Sequence, residues 1–149
     1  MCSAKVVFGG ENMTVIVCVD NNMGILFNCR RQSKDKALRE RVLKLSSKST
    51  LWMSPYTKKQ FEEPANNIFV ADNYLAVADD DAYCFVEGTG IMPCLSKIER
   101  LIIYRWNKVY PCDEFFDVCL DGWCVESSTD FVGNSHEKIT EEVYVRRDQ

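Results

Sequence analysis

Residues 14 to 19 read TVIVCV, a run in which both alternating faces are apolar and β-branched residues dominate. A strand of that kind has no face to offer to water, so it belongs inside a sheet that is covered on both sides. A layered α/β domain is the expectation.

The segments that follow supply the layers. An Asn-Asn-Met-Gly turn closes the run, and Ser33 or Asp35 is then placed to cap a helix in which Leu38, Val42 and Leu45 recur at helical spacing. Arg39, Glu40, Arg41 and Lys44 fall on its outer side. Leu51–Met53 reads as a short strand, Ser54 and Pro55 open a second helix through Phe61, and residues 67 to 70 form another strand. A helical piece over residues 73 to 78 leads through three aspartates to a buried-type strand, residues 83 to 86, that ends in an EGTG turn. Ile98–Arg105 is a further strand, and strand-like stretches lie near residues 123 to 126 and 143 to 146. The alternation predicts a central, mostly parallel sheet with flanking helices and an antiparallel C-terminal hairpin. Residues 1 to 12, with their Gly-Gly break, read as an N-terminal extension to a single domain over residues 13 to 149.

At 149 residues the chain has the size of one domain, and its 46% hydrophobic and 27% charged content is that of a globular core with a solvated surface. A formal charge of −4 lacks the basic footprint of phosphate neutralisation, which argues against general nucleic-acid binding. The apolar runs are too short to span a bilayer and no leader pattern opens the chain, so the expected setting is cytoplasmic, with no membrane partner. The eight cysteines contain no C-x-x-C pair, so no metal is expected and they read as reduced structural thiols.

Several stretches carry more than architecture. VIVCVDNNMGILFN joins the first strand to a glycine-containing loop, STLWMSPYTKKQF joins a strand to a helix start, and NNIFVAD forms the next strand. CFVEGTGI ends a strand in a glycine turn, KIERLIIYRWNKVYPCDEFFD runs from a strand to an acidic-Phe motif, and WCVE and EEVYVRR close the chain. In this order they resemble the dihydrofolate reductase family along nearly all of residues 13 to 147. The resemblance implies an NADPH-dependent reductase of a pterin-like or other small heterocyclic substrate. It implies Asp35 as the catalytic acid that orients the substrate, Thr57 as a cofactor contact, and Glu87, Gly88 and Thr89 at the turn beside the cofactor. Arg30, Arg31 and Tyr104 fall on the substrate side of the same cleft.

The chain also departs from that family. The Trp and Pro that follow the first loop are absent, replaced by residues 28 to 31, and Asp35 aligns only after a one-residue adjustment. The Gly-Gly pair that lets a pyrophosphate approach is here Glu87-Gly88, which adds a side chain and a negative charge; this opposes ordinary NADPH binding. Tyr104 stands where a small polar residue would help hold a pterin, and its bulk narrows that pocket.

The signatures RRQS-D and GNSHEKIT-E-VY are similar to those of small bacterial proteins, some of which bear the label ribonuclease Z. A two-metal nuclease needs an H-x-H-x-D-H cluster and further histidines, whereas this chain has the single His136. Zinc-nuclease chemistry is not expected.

The remaining motifs each admit two readings. Arg30-Arg31, with Gln32 and Ser33, forms either an anion clamp at the mouth of the cleft or a solvated helix start. SPYT, residues 54 to 57, is either an anion site or an N-cap followed by proline. EGTG is a tight turn, or a place where Glu87 meets a ligand amine or hydroxyl. Ser135, His136 and Glu137 read as an exposed loop with Ser135 as a cap, because neighbours on a loop usually diverge. Three functions remain open: the reductase, a non-catalytic binding module for a nucleotide-like small molecule, and a protein interaction module with a vestigial cleft.

Overall fold

A computed structural model of the chain describes residues 12 to 147, so residues 1 to 11 of the expected extension lie outside the described part. The first strand, β1 (Met13–Val19), is followed by β2 (Gly24–Phe27), β3 (Arg30–Arg31), helix α1 (Lys36–Leu45) and β4 (Leu51–Met53). Next come α2 (Pro55–Lys58), β5 (Ile68–Val70), α3 (Tyr74–Val77) and β6 (Tyr83–Phe85). A 3-10 turn over Met92–Lys97 feeds β7 (Ile98–Arg105), after which β8 (Glu114–Phe115), β9 (Trp123–Phe131) and β10 (Ile139–Arg146) complete the order.

The large sheet runs β5-β4-β6-β1-β7-β10-β9. β1 pairs in parallel with a neighbour on each side, so that Val15 lies opposite Cys84 of β6 and Leu101 of β7. β10 runs antiparallel to both β7 and β9, which makes the closing hairpin.

Alternation along β1 divides the core. Val15, Val17 and Val19 join Val86, Leu101 and Ile103 on one face. Ile16 joins Leu38 and Val42 of α1, with Met53, Phe85, Ile102 and Tyr104, on the other. The expectation of a strand buried on both faces is met.

Some bounds differ from the sequence reading. α2 stops at Lys58, because Gln60 and Phe61 donate to the carbonyls of Thr57 and Lys58, three residues back, and the last turn tightens. The hairpin strands extend beyond residues 123 to 126 and 143 to 146. A small second sheet, β3-β2-β8, stands where only loops were expected; its strands are short and pair only with one another. Among the described residues all seven cysteines are free thiols, and no helix is long and apolar enough to cross a membrane.

Candidate functional site

Where β1 ends, Asp20 turns the chain. Its fully buried carboxylate accepts from the backbone N–H groups of Asn22 (2.9 Å), Gly24 (2.8 Å) and Tyr110 (3.1 Å) and from the Gln32 amide (3.1 Å). Burial alone would favour the protonated form, but these donors outweigh it and hold the carboxyl below its ordinary range. One side chain thereby ties the first loop to the RRQS segment and to the loop after β7.

Glu87, just past β6, draws to itself two of the residues singled out in the sequence, Arg31 and Thr57, together with Gln60. Arg31 donates from Nε to Oε2 at 2.9 Å and from Nη2 to Oε1 at 3.0 Å, a bidentate pair. The Thr57 hydroxyl donates to Oε1 at 2.9 Å and the Gln60 amide to Oε2 at 3.1 Å. Arg31 is further fixed by Tyr56, whose ring centroid lies 4.2 Å from Cζ and whose carbonyl accepts from Nη2. Thr57 can reach Glu87 because Ser54 caps α2 by accepting the Thr57 N–H, so the cap reading of SPYT describes the structure.

Asp35 is the N-cap of α1, and its Oδ1 accepts from the N–H groups of Ala37, Leu38 and Asn134. Its Oδ2 accepts from the Ser135 N–H at 2.8 Å, the Ser135 hydroxyl at 3.2 Å and His136 Nδ1 at 3.0 Å. Burial acts to raise its pKa, but the Asn134 N–H, the His136 hydrogen bond and the Ser135 and Leu38 N–H groups prevail and hold it well below the carboxylate range.

His136 corrects the sequence reading. It is buried, 5% exposed, with its ring stacked on Trp106 at 4.5 Å between centroids. Its Nε2 meets the hydroxyls of Ser33 at 3.2 Å and Tyr110 at 3.0 Å. Its sequence neighbour Ser135 does not diverge from it, the hydroxyl lying 3.4 Å from Nδ1, and the imidazole is also held by residues remote in the chain.

The other expected residues lie apart. Tyr104 is fully buried, and its hydroxyl donates to Glu141 at 2.8 Å, a carboxylate that also takes Arg41 Nε and Nη2. Thr89 accepts from the Tyr74 hydroxyl at 3.0 Å. Gly88 has φ +83°, and a Cβ there would stand 2.6 Å from Leu26 Cδ1, so the close approach it permits is to the chain's own side chain.

Two spaces flank this cluster. The inner one, bounded by Cys18, Arg31, Ser33, Val86, Glu87 and Trp106, encloses about 10 Å³, room for at most a single water molecule. The outer one, about 570 Å³, is lined by Phe27, Asn28, Arg30, Arg31, Gln32, Tyr110 and Pro111. Arg30 is exposed and has no carboxylate partner among the described residues. Gln32 lines both spaces, and its Oε1 is buried without a hydrogen-bond partner there.

Sequence reasoning missed Asp20, Gln60, Tyr110 and the joining of Ser33 to His136. The Asp-Asn-Asn-Met-Gly run did carry a turn signal, since an Asp side chain commonly bonds the backbone two residues on. Nothing local marks the other three.

No family model matches the chain, and no curated protein matches it. Among solved structures it is similar to dihydrofolate reductase from Enterococcus faecalis complexed with NADP(H) and RAB-propyl, with a TM-score of 0.66 and 14% identity. The match covers 96% of this chain and all of that one, which makes the fold dihydrofolate reductase-like. The likeness to proteins labelled ribonuclease Z finds no support in these comparisons.

Proposed function

We propose that the chain is a small-molecule binding module on a dihydrofolate reductase-like frame, taking an anionic, nucleotide-like ligand in the outer cavity beside Arg30. The observation that carries it is the state of Glu87. Its carboxylate occupies the place expected of a glycine beside a pyrophosphate and is saturated by Arg31, Thr57 and Gln60. The side chains present there do not fit a dinucleotide: a carboxylate would face the phosphates, and the inner space is filled. The outer cavity offers a guanidinium for an anion and the aromatic side chains of Phe27 and Tyr110 for a planar ring. Asp35, Tyr104 and Thr89 hold the frame around the ligand and do not touch it. A small ligand, no general nucleic-acid partner and a reducing cytoplasmic setting accord with the acidic balance and the free thiols.

The NADPH-dependent reductase is the second reading, favoured by the fold likeness to an enzyme solved with NADP(H). Thermal melts separate the two. A ligand at 100 times its Kd adds about 2.7 kcal/mol, a rise of roughly 5 to 10 °C in a chain of this size. The expected result is no response to NADPH and a rise with a nucleoside monophosphate that Arg30→Ala abolishes. A rise with NADPH would restore the reductase, and silence with every nucleotide would favour the interaction module.

A further inference from the structure

We propose that the chain forms a two-fold dimer by pairing the outer edge of β5 with the β5 of a second copy, which joins the two large sheets into one. β5 ends the sheet, with β4 on its inner side and no described strand on its outer side. The Leu51 N–H donates to the Asn67 carbonyl at 2.9 Å, and the Ala71 N–H to the Met53 carbonyl at 3.2 Å. Residues 67, 69 and 71 therefore turn their main chain toward β4, and Ile68 and Val70 turn theirs outward. Among the described residues, the N–H and C=O groups of Ile68 and Val70 have no hydrogen-bond partner. A second strand is what completes such an edge, and these groups fix its register. When two copies of β5 run antiparallel with the axis beside Phe69, Ile68 of each lies opposite Val70 of the other. Each of these pairs exchanges two hydrogen bonds, so every outward group of both strands finds a partner. Phe69 then faces Phe69 of the second copy at a non-hydrogen-bonded position, where side chains approach most closely.

The side chains suit this occupant. Phe69 and Val70 are 44% and 43% exposed, a large apolar area for the last strand of a sheet. Phe69 stacks on Trp52 at 5.0 Å between centroids, and Trp52 Nε1 donates to Asp79 at 2.9 Å, so the ring is held in place before any pairing. Residues 66 to 71 carry no charge. The same two-fold brings the Asp72 carboxylate toward the Asn66 amide of the second copy, a donor, and not toward another acid. The opposite edge of the sheet is β9, whose exposed run carries Glu126 and Asp130, charges of the kind that keep an edge from pairing. β5 has neither a charge nor a proline. Pairing of β5 with itself uses the same surface on both copies, so assembly closes at two. Three residues from each strand make a small contact, and the dimer is accordingly reversible and concentration-dependent.

The test is sedimentation velocity of the full chain from micromolar to millimolar concentration. The mass should rise with concentration from 17.2 kDa to twice that value and go no higher. Val70→Pro removes an outward N–H and leaves the ladder to β4 intact, so this variant should stay monomeric throughout. Val70→Lys places an ammonium opposite Ile68 of the second copy and should do the same. It keeps the inference open to refutation should Val70→Pro fail to fold. Ser128→Lys, on the exposed run of β9, should dimerise as the wild type does. A monomer at every concentration, a dimer that survives in a folded Val70 variant, or loss of the dimer in Ser128→Lys would overturn the proposal. Growth beyond a dimer would do so too, because β5 would then be pairing with a different surface of the next copy.

Discussion

The guanidinium of Arg31 and the carboxylate of Glu87, 56 residues apart in the chain, form two parallel hydrogen bonds with side-chain exposures of only 19% and 10%. Removing either partner strands a shielded charge, so Arg31→Ala and Glu87→Ala should each cost about 2 to 3 kcal/mol. The double variant should lose less than the sum of the two. Urea titration of the four proteins measures the coupling, and strict additivity would mean that the pair contributes nothing as a pair.

Acid should unfold the protein through Asp35. Its folded-state pKa is depressed, so the unfolded chain binds the proton more readily, and the stability it contributes is full above about pH 4 to 5 and drains away as the pH falls toward the folded value. Asp20, Glu63 and Glu141 are shifted the same way and add to the slope. Melting temperature measured from pH 7 to pH 2 should stay level and then drop. Asp35→Asn should start lower and drop less.

Tyr104→Phe removes one hydroxyl from a packed ring and leaves Glu141 its two bonds from Arg41. A loss of about 1 to 2 kcal/mol is expected, with ligand response unchanged. If nucleotide binding disappeared in a stably folded Tyr104→Phe, Tyr104 would have to be assigned to the site after all.

Gly88→Ala meets both a positive φ and the Leu26 side chain. It should destabilise by about 1 to 3 kcal/mol, readable as a lower denaturation midpoint at unchanged m-value.

The sheet was far more legible in the sequence than the site. TVIVCV, Leu51–Met53 and Ile98–Arg105 carry their own periodicity, and the structure places strands there with the expected direction and burial. The resemblance implied a cleft beside Glu87, Thr57 and Asp35 but could not reveal that their hydrogen-bond partners are groups of the chain itself. Arg31 stands 56 residues before Glu87, and Asp35 stands 101 before His136. Such pairings follow from topology, which a linear pattern does not encode. Short strands such as Arg30–Arg31 and Glu114–Phe115 escaped for a related reason: a two-residue segment becomes a strand only when a partner is present.

The position of β1 has a consequence for how the chain comes to be folded. It is the first described strand to be synthesised, yet its two edges are taken up by residues near 84 and near 101, so one lies bare until more than half of the chain exists and the other until about two thirds does. During that interval an apolar, β-branched segment is available to pair with other chains. Contacts this distant in sequence make refolding slow and concentration-sensitive. The same centrality that gives the finished sheet its core makes the unfinished one the most vulnerable part of the molecule's life.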